Sequence, residues 1–225
     1  MWAICMQEFK GLFKSIKSIF IISFLSGISV LFAHFGNSLG IDDMSLEASF
    51  TSGLSTLIVF LGMLFVFILS HDVISREFQS RTLRFLITKT SRKNIIIGKA
   101  LGVTVFWLCC LFLSMLLIAL VSKVFFFKTF IQCTVFMIYG ISLTILTSTF
   151  VSKTSQSLII GVILSLTLPI LGLLSLLLEN KLISWVKFLT PYHYMDLSLP
   201  YLIGVLILSS IFLFISIIHF ERKDL

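Results

Sequence analysis

Charge is scarce in this chain: Asp, Glu, Lys and Arg make up 12% of its 225 residues. They are missing altogether from six stretches of 23 to 25 residues: Ser18–Ile41, Ala48–His71, Ala100–Ser122, Thr129–Ser152, Thr154–Leu178 and Leu197–Phe220. About 20 apolar residues in a helix span a bilayer core, so each stretch is long enough to cross once. A mean hydropathy of +1.11 and a hydrophobic share of 58% exclude an ordinary soluble domain. Backbone groups in lipid must be paired within a helix or a closed barrel. These stretches lack the alternating polar face of a barrel strand, which leaves helices. The expected fold is all-α integral membrane, a single domain over residues 1–225 with six transmembrane helices.

Groups that carry chemistry are equally sparse. The uncharged runs hold only His34, His71 and His219, all near predicted span ends, where an interfacial hydrogen-bonding role outweighs metal ligation. No mid-membrane carboxylate, no His/Glu pair at helical metal-ligand spacing and no G-x-S-x-G is present. The phosphate-cradling G-x-x-x-x-G-K-[ST] is missing too, so the chain itself is not expected to be an enzyme or to hold a cofactor or metal. The four cysteines, Cys5, Cys109, Cys110 and Cys133, avoid the predicted outer loops and read as packing thiols. The first apolar run is too long for a cleavable signal peptide and lacks its small-x-small exit, so it reads as a retained span. Of the three prolines, Pro169 falls inside the fifth span, where a tolerated kink is expected rather than a break.

The basic residues that remain orient the chain. With the N-terminus inside, 13 of the 17 fall in inner segments: Lys10, Lys14 and Lys17, then Arg76 through Lys99, Lys153, Arg222 and Lys223. The outer loops keep Lys123, Lys128, Lys181 and Lys187, and the first has Asp42, Asp43 and Glu47 with no base. Both termini are therefore expected on the cytoplasmic side. This bias, with anionic lipid at the inner face, accounts for the net charge of +7 without nucleic acid as a partner.

Residues 1–17 form the most regular amphipathic segment. Trp2, Met6, Phe9, Phe13, Ile16 and Phe20 share one helical face, Lys10, Lys14 and Lys17 lie on its flank, and Gln7, Gly11, Ser15 and Ser18 lie opposite. Such a helix lies flat at a membrane surface, whereas a plain extension of the first span would expose its aromatic stripe to water. A tight outer turn is expected around Lys123–Lys128. The outer stretch 179–199 carries Trp185, Tyr192, His193 and Tyr194, and a short helix over Leu182–Leu189, ended before Pro191, is expected to dip back into the outer leaflet.

Residues 72–99 are the sole inner segment of any size. Leu83, Phe85, Leu86 and Ile87 alternate there with Arg76, Arg81 and Arg84. Apolar anchors beside arginines fit either a helix resting on a partner protein or one packed under the bundle. The segment also resembles the loop between the second and third spans of type-2 ABC transporter permeases. The matching positions are Glu77, Thr82, Leu83, Phe85 with Leu86, Thr88, Ser91 with Arg92, and Gly98 with Lys99. Ser80 stands where that family often has Gly, and Lys89-Thr90 replaces its Pro turn. The wider layout is similar too, from the N-terminal amphipathic helix to Pro191-Tyr192 before the sixth span.

The resemblance implies a permease subunit with an interfacial elbow helix over 1–17, whose surface residues are Trp2, Phe9, Lys10, Phe13, Lys14 and Lys17. It implies a coupling helix in which Glu77, Arg81, Thr82, Leu83, Arg84, Phe85, Leu86, Thr88 and Arg92 engage an ATPase. The implied partners are two ABC ATPase subunits holding ATP and Mg, a second six-span permease subunit (identical or related), and membrane lipid. The implied location is a bacterial plasma membrane. A path lined without charge fits a hydrophobic or amphipathic cargo such as a peptide, a lipid-linked molecule or a drug, and export of or immunity to an antimicrobial peptide is the favoured case. The rival readings are a passive channel or ion-coupled carrier and a non-transporting membrane partner of an ATPase complex.

Overall fold

A computed structural model of the chain describes residues 1–38, 46–80, 82, 88–177, 185–195 and 199–222. All regular structure among them is helical. We number the α-helices α1 (Trp2–Phe13), α2 (Ile16–Ser38), α3 (Leu46–Leu57), α4 (Met63–Ser70), α5 (Ser75–Gln79), α6 (Arg92–Ser122), α7 (Phe127–Phe150), α8 (Thr154–Leu177), α9 (Val186–Leu189), α10 (Tyr192–Met195) and α11 (Leu202–Arg222). A π-helical turn, Ile58–Gly62, joins α3 to α4, so the two form one continuous second span. Six helices are long and apolar enough to cross a membrane, as the uncharged runs predict.

The third span is longer than its uncharged run. Arg92–Lys99, expected as the end of a loop, form the first two turns of α6, which at 31 residues is roughly 46 Å long. That exceeds a hydrocarbon core of about 30 Å, so one end of α6 must stand clear of it. Lys123 ends α6 in the left-handed region at φ 59°, where its N–H bonds the Ala119 carbonyl at 2.8 Å, and this closes the tight turn expected before α7. Pro169 sits inside α8 without ending it.

Burial ranks the spans. The α7 window is 67% buried and the outermost ones, α2, α8 and α11, are between 22% and 28%. Phe106, Trp107, Phe136 and Tyr139 fill the centre between α6 and α7.

The turn after α4 is fastened by serines. Ser148 Oγ of α7 accepts the backbone N–H groups of Ile74 and Ser75 at 3.0 and 3.1 Å and so caps the start of α5. Ser157 Oγ of α8 donates to the His71 carbonyl at 2.7 Å. At the opposite end, Glu47 Oε1 accepts from Thr129 Oγ1 at 2.7 Å and from Thr129 N at 3.3 Å. A carboxylate at the first turn of α7 also meets the positive end of that helix.

Candidate functional site

The site lies where α1, α5 and the first turns of α6 meet. Helix α1 is amphipathic in three sectors rather than two. Cys5, Glu8 and Leu12 are buried against the bundle, Trp2, Met6 and Phe13 are exposed, and Lys10 and Lys14 stand on the side away from the bundle. The buried sector fits because α6 offers two glycines one turn apart. A Cβ on Gly98 would lie 2.9 Å from the Met1 carbonyl oxygen, and one on Gly102 would lie 2.7 Å from that of Cys5. Small residues at this spacing let two helix backbones approach closely. The α1–α6 crossing therefore depends on the missing side chains.

Lys99 lies between those glycines and is fully buried. Its Nζ donates to Glu8 Oε1 at 2.6 Å, to the Val73 carbonyl at 2.6 Å, and to Glu77 Oε1 at 2.8 Å. An ammonium has three N–H donors, and each meets an acceptor from a different segment: α1, the turn after α4, and α5. Arg76 adds longer contacts, 3.8 Å to Glu8 and 3.7 Å to Asp72, but its side chain is largely exposed and these pairs add little. Glu77 Oε2 is buried without a hydrogen-bond partner among the described residues. A cleft of about 700 Å³ opens beside the cluster, between α1, α4 and α5, lined in part by Gln7, Ser15, His71 and Arg76.

This arrangement ties α1, the turn after α4 and α5 to the start of α6. One buried cation holds three chain segments by short, charge-assisted bonds, so moving one segment alone would cost the Lys99 ammonium an acceptor. Among the described residues, no three His, Cys, Asp or Glu side chains converge to hold a metal ion.

The residues expected to couple to an ATPase divide into four groups. Glu77 is turned inward onto Lys99. Arg92 donates from Nη1 to the carbonyls of Phe220 and Glu221, at 3.3 and 2.8 Å, and so caps the C-terminal end of α11. Thr82 and Thr88 are exposed, with Thr82 Oγ1 2.8 Å from Ser80 Oγ. Arg81, Leu83, Arg84, Phe85 and Leu86 lie outside the described residues. The helix expected over 1–17 ends at Phe13: of its expected surface residues Trp2, Lys10 and Phe13 are exposed and Phe9 is half-buried, while Lys14, also exposed, is its C-cap and the exposed Lys17 stands in the first turn of α2. The Phe13 ring also meets Phe106 edge-on at 5.3 Å. Sequence reasoning missed Glu8 and the inward role of Lys99. The available signal was that Glu8 is the lone acid among the lysines of residues 1–17, and Lys99 the last base before a long uncharged run.

A second polar contact pins the segment before the sixth span. The expected helix appears as Val186–Leu189, the residues 178–184 ahead of it lying outside those described, and Thr190 then turns extended before Pro191. A further turn, Tyr192–Met195, follows and carries Tyr192 into the bundle. The Tyr192 ring lies against Gly172 and meets Phe136 edge-on at 5.5 Å. Its hydroxyl donates to the Val59 carbonyl of the π turn at 3.2 Å, and Tyr139 OH donates to the Leu189 carbonyl at 2.9 Å. Burial, with Tyr139 nearby, pushes the Tyr192 hydroxyl well above the usual phenol range, so it stays a donor. Tyr192→Phe is expected to cost about 1 kcal/mol and Tyr192→Ala about 3–5 kcal/mol in thermal unfolding of the detergent-solubilised chain. Equal melting of Tyr192→Phe and wild type would show that the hydroxyl does not hold the π turn.

No family model matches the chain, and no curated protein matches its sequence.

Proposed function

We propose that the chain is the membrane-spanning permease subunit of an ATP-driven transporter of the type-2 ABC kind, in a bacterial plasma membrane with both termini cytoplasmic. The observation that carries this reading is the Lys99 cluster. It ties α1, the first helix of the 72–99 connection and the start of the third span into one unit. A displacement of residues 77–88 by a partner would therefore move α1 and α6 together. In this reading α1 is the elbow helix at the inner surface, and the segment from Glu77 to Thr88 transmits the motion of the ATPase. Glu77 and Arg92 anchor the two ends of that segment within the permease.

Two separate ATPase subunits supply ATP and Mg, and a second six-span subunit completes the translocation path. The six uncharged runs favour a hydrophobic or amphipathic cargo, an antimicrobial peptide above all. They also count against an ion-coupled carrier, which needs ionisable groups at mid-membrane.

The test is to purify the tagged chain from its native membranes in mild detergent, beside a Phe85→Asp, Leu86→Asp variant. A P-loop ATPase should accompany the wild type and be lost from the variant, while both insert in the membrane equally. If no ATPase accompanies the wild type under several gentle extractions, the chain is a channel or an ion-coupled carrier. If the variant keeps its ATPase, coupling runs through other residues.

A further inference from the structure

The outer flank of α1 carries positive charge that the protein itself does not answer. Lys10 and Lys14 are one turn apart and exposed, and among the described residues neither they nor Lys17 form an ion pair. The lone acid of that helix, Glu8, faces the other way and is taken up by Lys99. Beside the lysines the helix surface is cut away. Gly11 lies in the last turn of α1, and a Cβ added there would meet nothing within 4 Å. Gly98 and Gly102 are explained by the helix pressed against them, but Gly11 is not. A glycine inside a helix is unfavourable by about 1 kcal/mol relative to alanine, and the space it leaves here lies directly beside the two lysines. Around it, Gln7 lies one turn back and Lys14 and Ser15 one turn ahead. On the other side of the lysines, Trp2 is 70% exposed and Met6 38%.

We propose that the groove formed by Trp2, Met6, Gln7, Lys10, Gly11 and Lys14 binds one anionic phospholipid of the inner leaflet. The lipid phosphate sits between the Lys10 and Lys14 ammonium groups, with the Gln7 amide as a further donor. The headgroup beyond the phosphate fills the notch at Gly11, and the glycerol and acyl chains run down past Met6 and Trp2. The two chemistries lie side by side in the order a lipid presents them, charge above and hydrocarbon below. Free phosphate would answer the lysines and leave Trp2 and Met6 uncovered. The inference rests on α1 lying at the inner membrane surface and is independent of the ATPase.

The test uses the full chain in mild detergent with a fixed mixture of phosphatidylglycerol and phosphatidylcholine, counting retained lipids by native mass spectrometry. One phosphatidylglycerol should be retained in preference to phosphatidylcholine. Two juxtamembrane lysines change anionic-lipid affinity by about 30-fold, so Lys10→Ala with Lys14→Ala should lose it. Lys123→Ala with Lys128→Ala, the same loss of charge at the far end of α6, should retain it. Gly11→Leu keeps both lysines and favours helix, yet fills the notch, and it too should lose the lipid. Excess inorganic phosphate should fail to displace it. Equal retention of the two lipids by the wild type, unchanged retention in the Lys10/Lys14 variant, equal loss in the Lys123/Lys128 variant, or retention by Gly11→Leu would each overturn the proposal.

Discussion

Lys99→Met is expected to destabilise the α1 end of the bundle by about 3–5 kcal/mol, the largest single effect at any position outside the apolar core. Removing the ammonium leaves Glu8 Oε1, Glu77 Oε1 and the Val73 carbonyl facing one another without the donor that now lies 2.6 to 2.8 Å from each. The energy lost is that of stranded carboxylates more than that of the bonds themselves. Two further variants separate those terms. Lys99→Met combined with Glu8→Met and Glu77→Leu replaces the charges by apolar groups of similar size and should recover most of the loss. Lys99→Arg keeps the charge but brings a longer planar fork to a site with no exposed surface, and should not be silent. The readout is thermal unfolding of the full chain in detergent by tryptophan fluorescence. Wild-type melting of Lys99→Met would show that the cluster holds nothing together.

Gly102→Leu is expected to lift α1 away from α6 while leaving the spans in place. A Cβ at Gly102 would stand 2.7 Å from the Cys5 carbonyl oxygen and 2.9 Å from Glu8 Cβ. The first of these is backbone and cannot swing aside as a flexible side chain could. Overpacking of this kind costs about 1–3 kcal/mol, and the cheapest relief is for the terminal helix to move. Cys5, 4% exposed on the buried face of α1, reports that movement. Its maleimide labelling, followed by peptide mass spectrometry to separate it from the exposed Cys109, should quicken at least about tenfold. Gly27→Leu on α2, where an added Cβ meets nothing within 4 Å, is the control and should leave the rate unchanged. Equal rates in the two variants would mean that α1 is held by contacts other than the glycine crossing.

Together the two variants bear on the transporter reading. Under the proposed reading, a permease driven from its inner surface needs a rigid path from the driven segment to the spans, and the buried cation and the close helix crossing are two contacts that fit it. Loosening either should uncouple α1 from α6 without removing a residue that touches cargo.

The six spans were legible in the sequence because spanning a bilayer is a local property: an uncharged run of about 20 residues satisfies it wherever the chain goes next. The stripe Trp2–Met6–Phe9–Phe13 was legible for the same reason, since a helix of fixed period places those residues on one side whatever it rests on. Which side of α1 meets protein was not legible. The apolar stripe points outward, and the buried face carries a glutamate, because its partner Lys99 lies 91 residues away on another helix. Periodicity reports that Glu8 and Lys99 exist and nothing about whether they meet. The contacts of the two-turn extension of α6 are likewise tertiary, since Arg92 and Lys93 meet the end of α11 and Lys99 meets the acids of α1 and α5. So it is with Tyr192, read as an interfacial aromatic and found deep against Gly172 and the π turn. Sequence settled what each segment can be, through length, period and charge. Tertiary structure decided which polar groups answer one another, because a buried charge is tolerated only where the fold brings its partner.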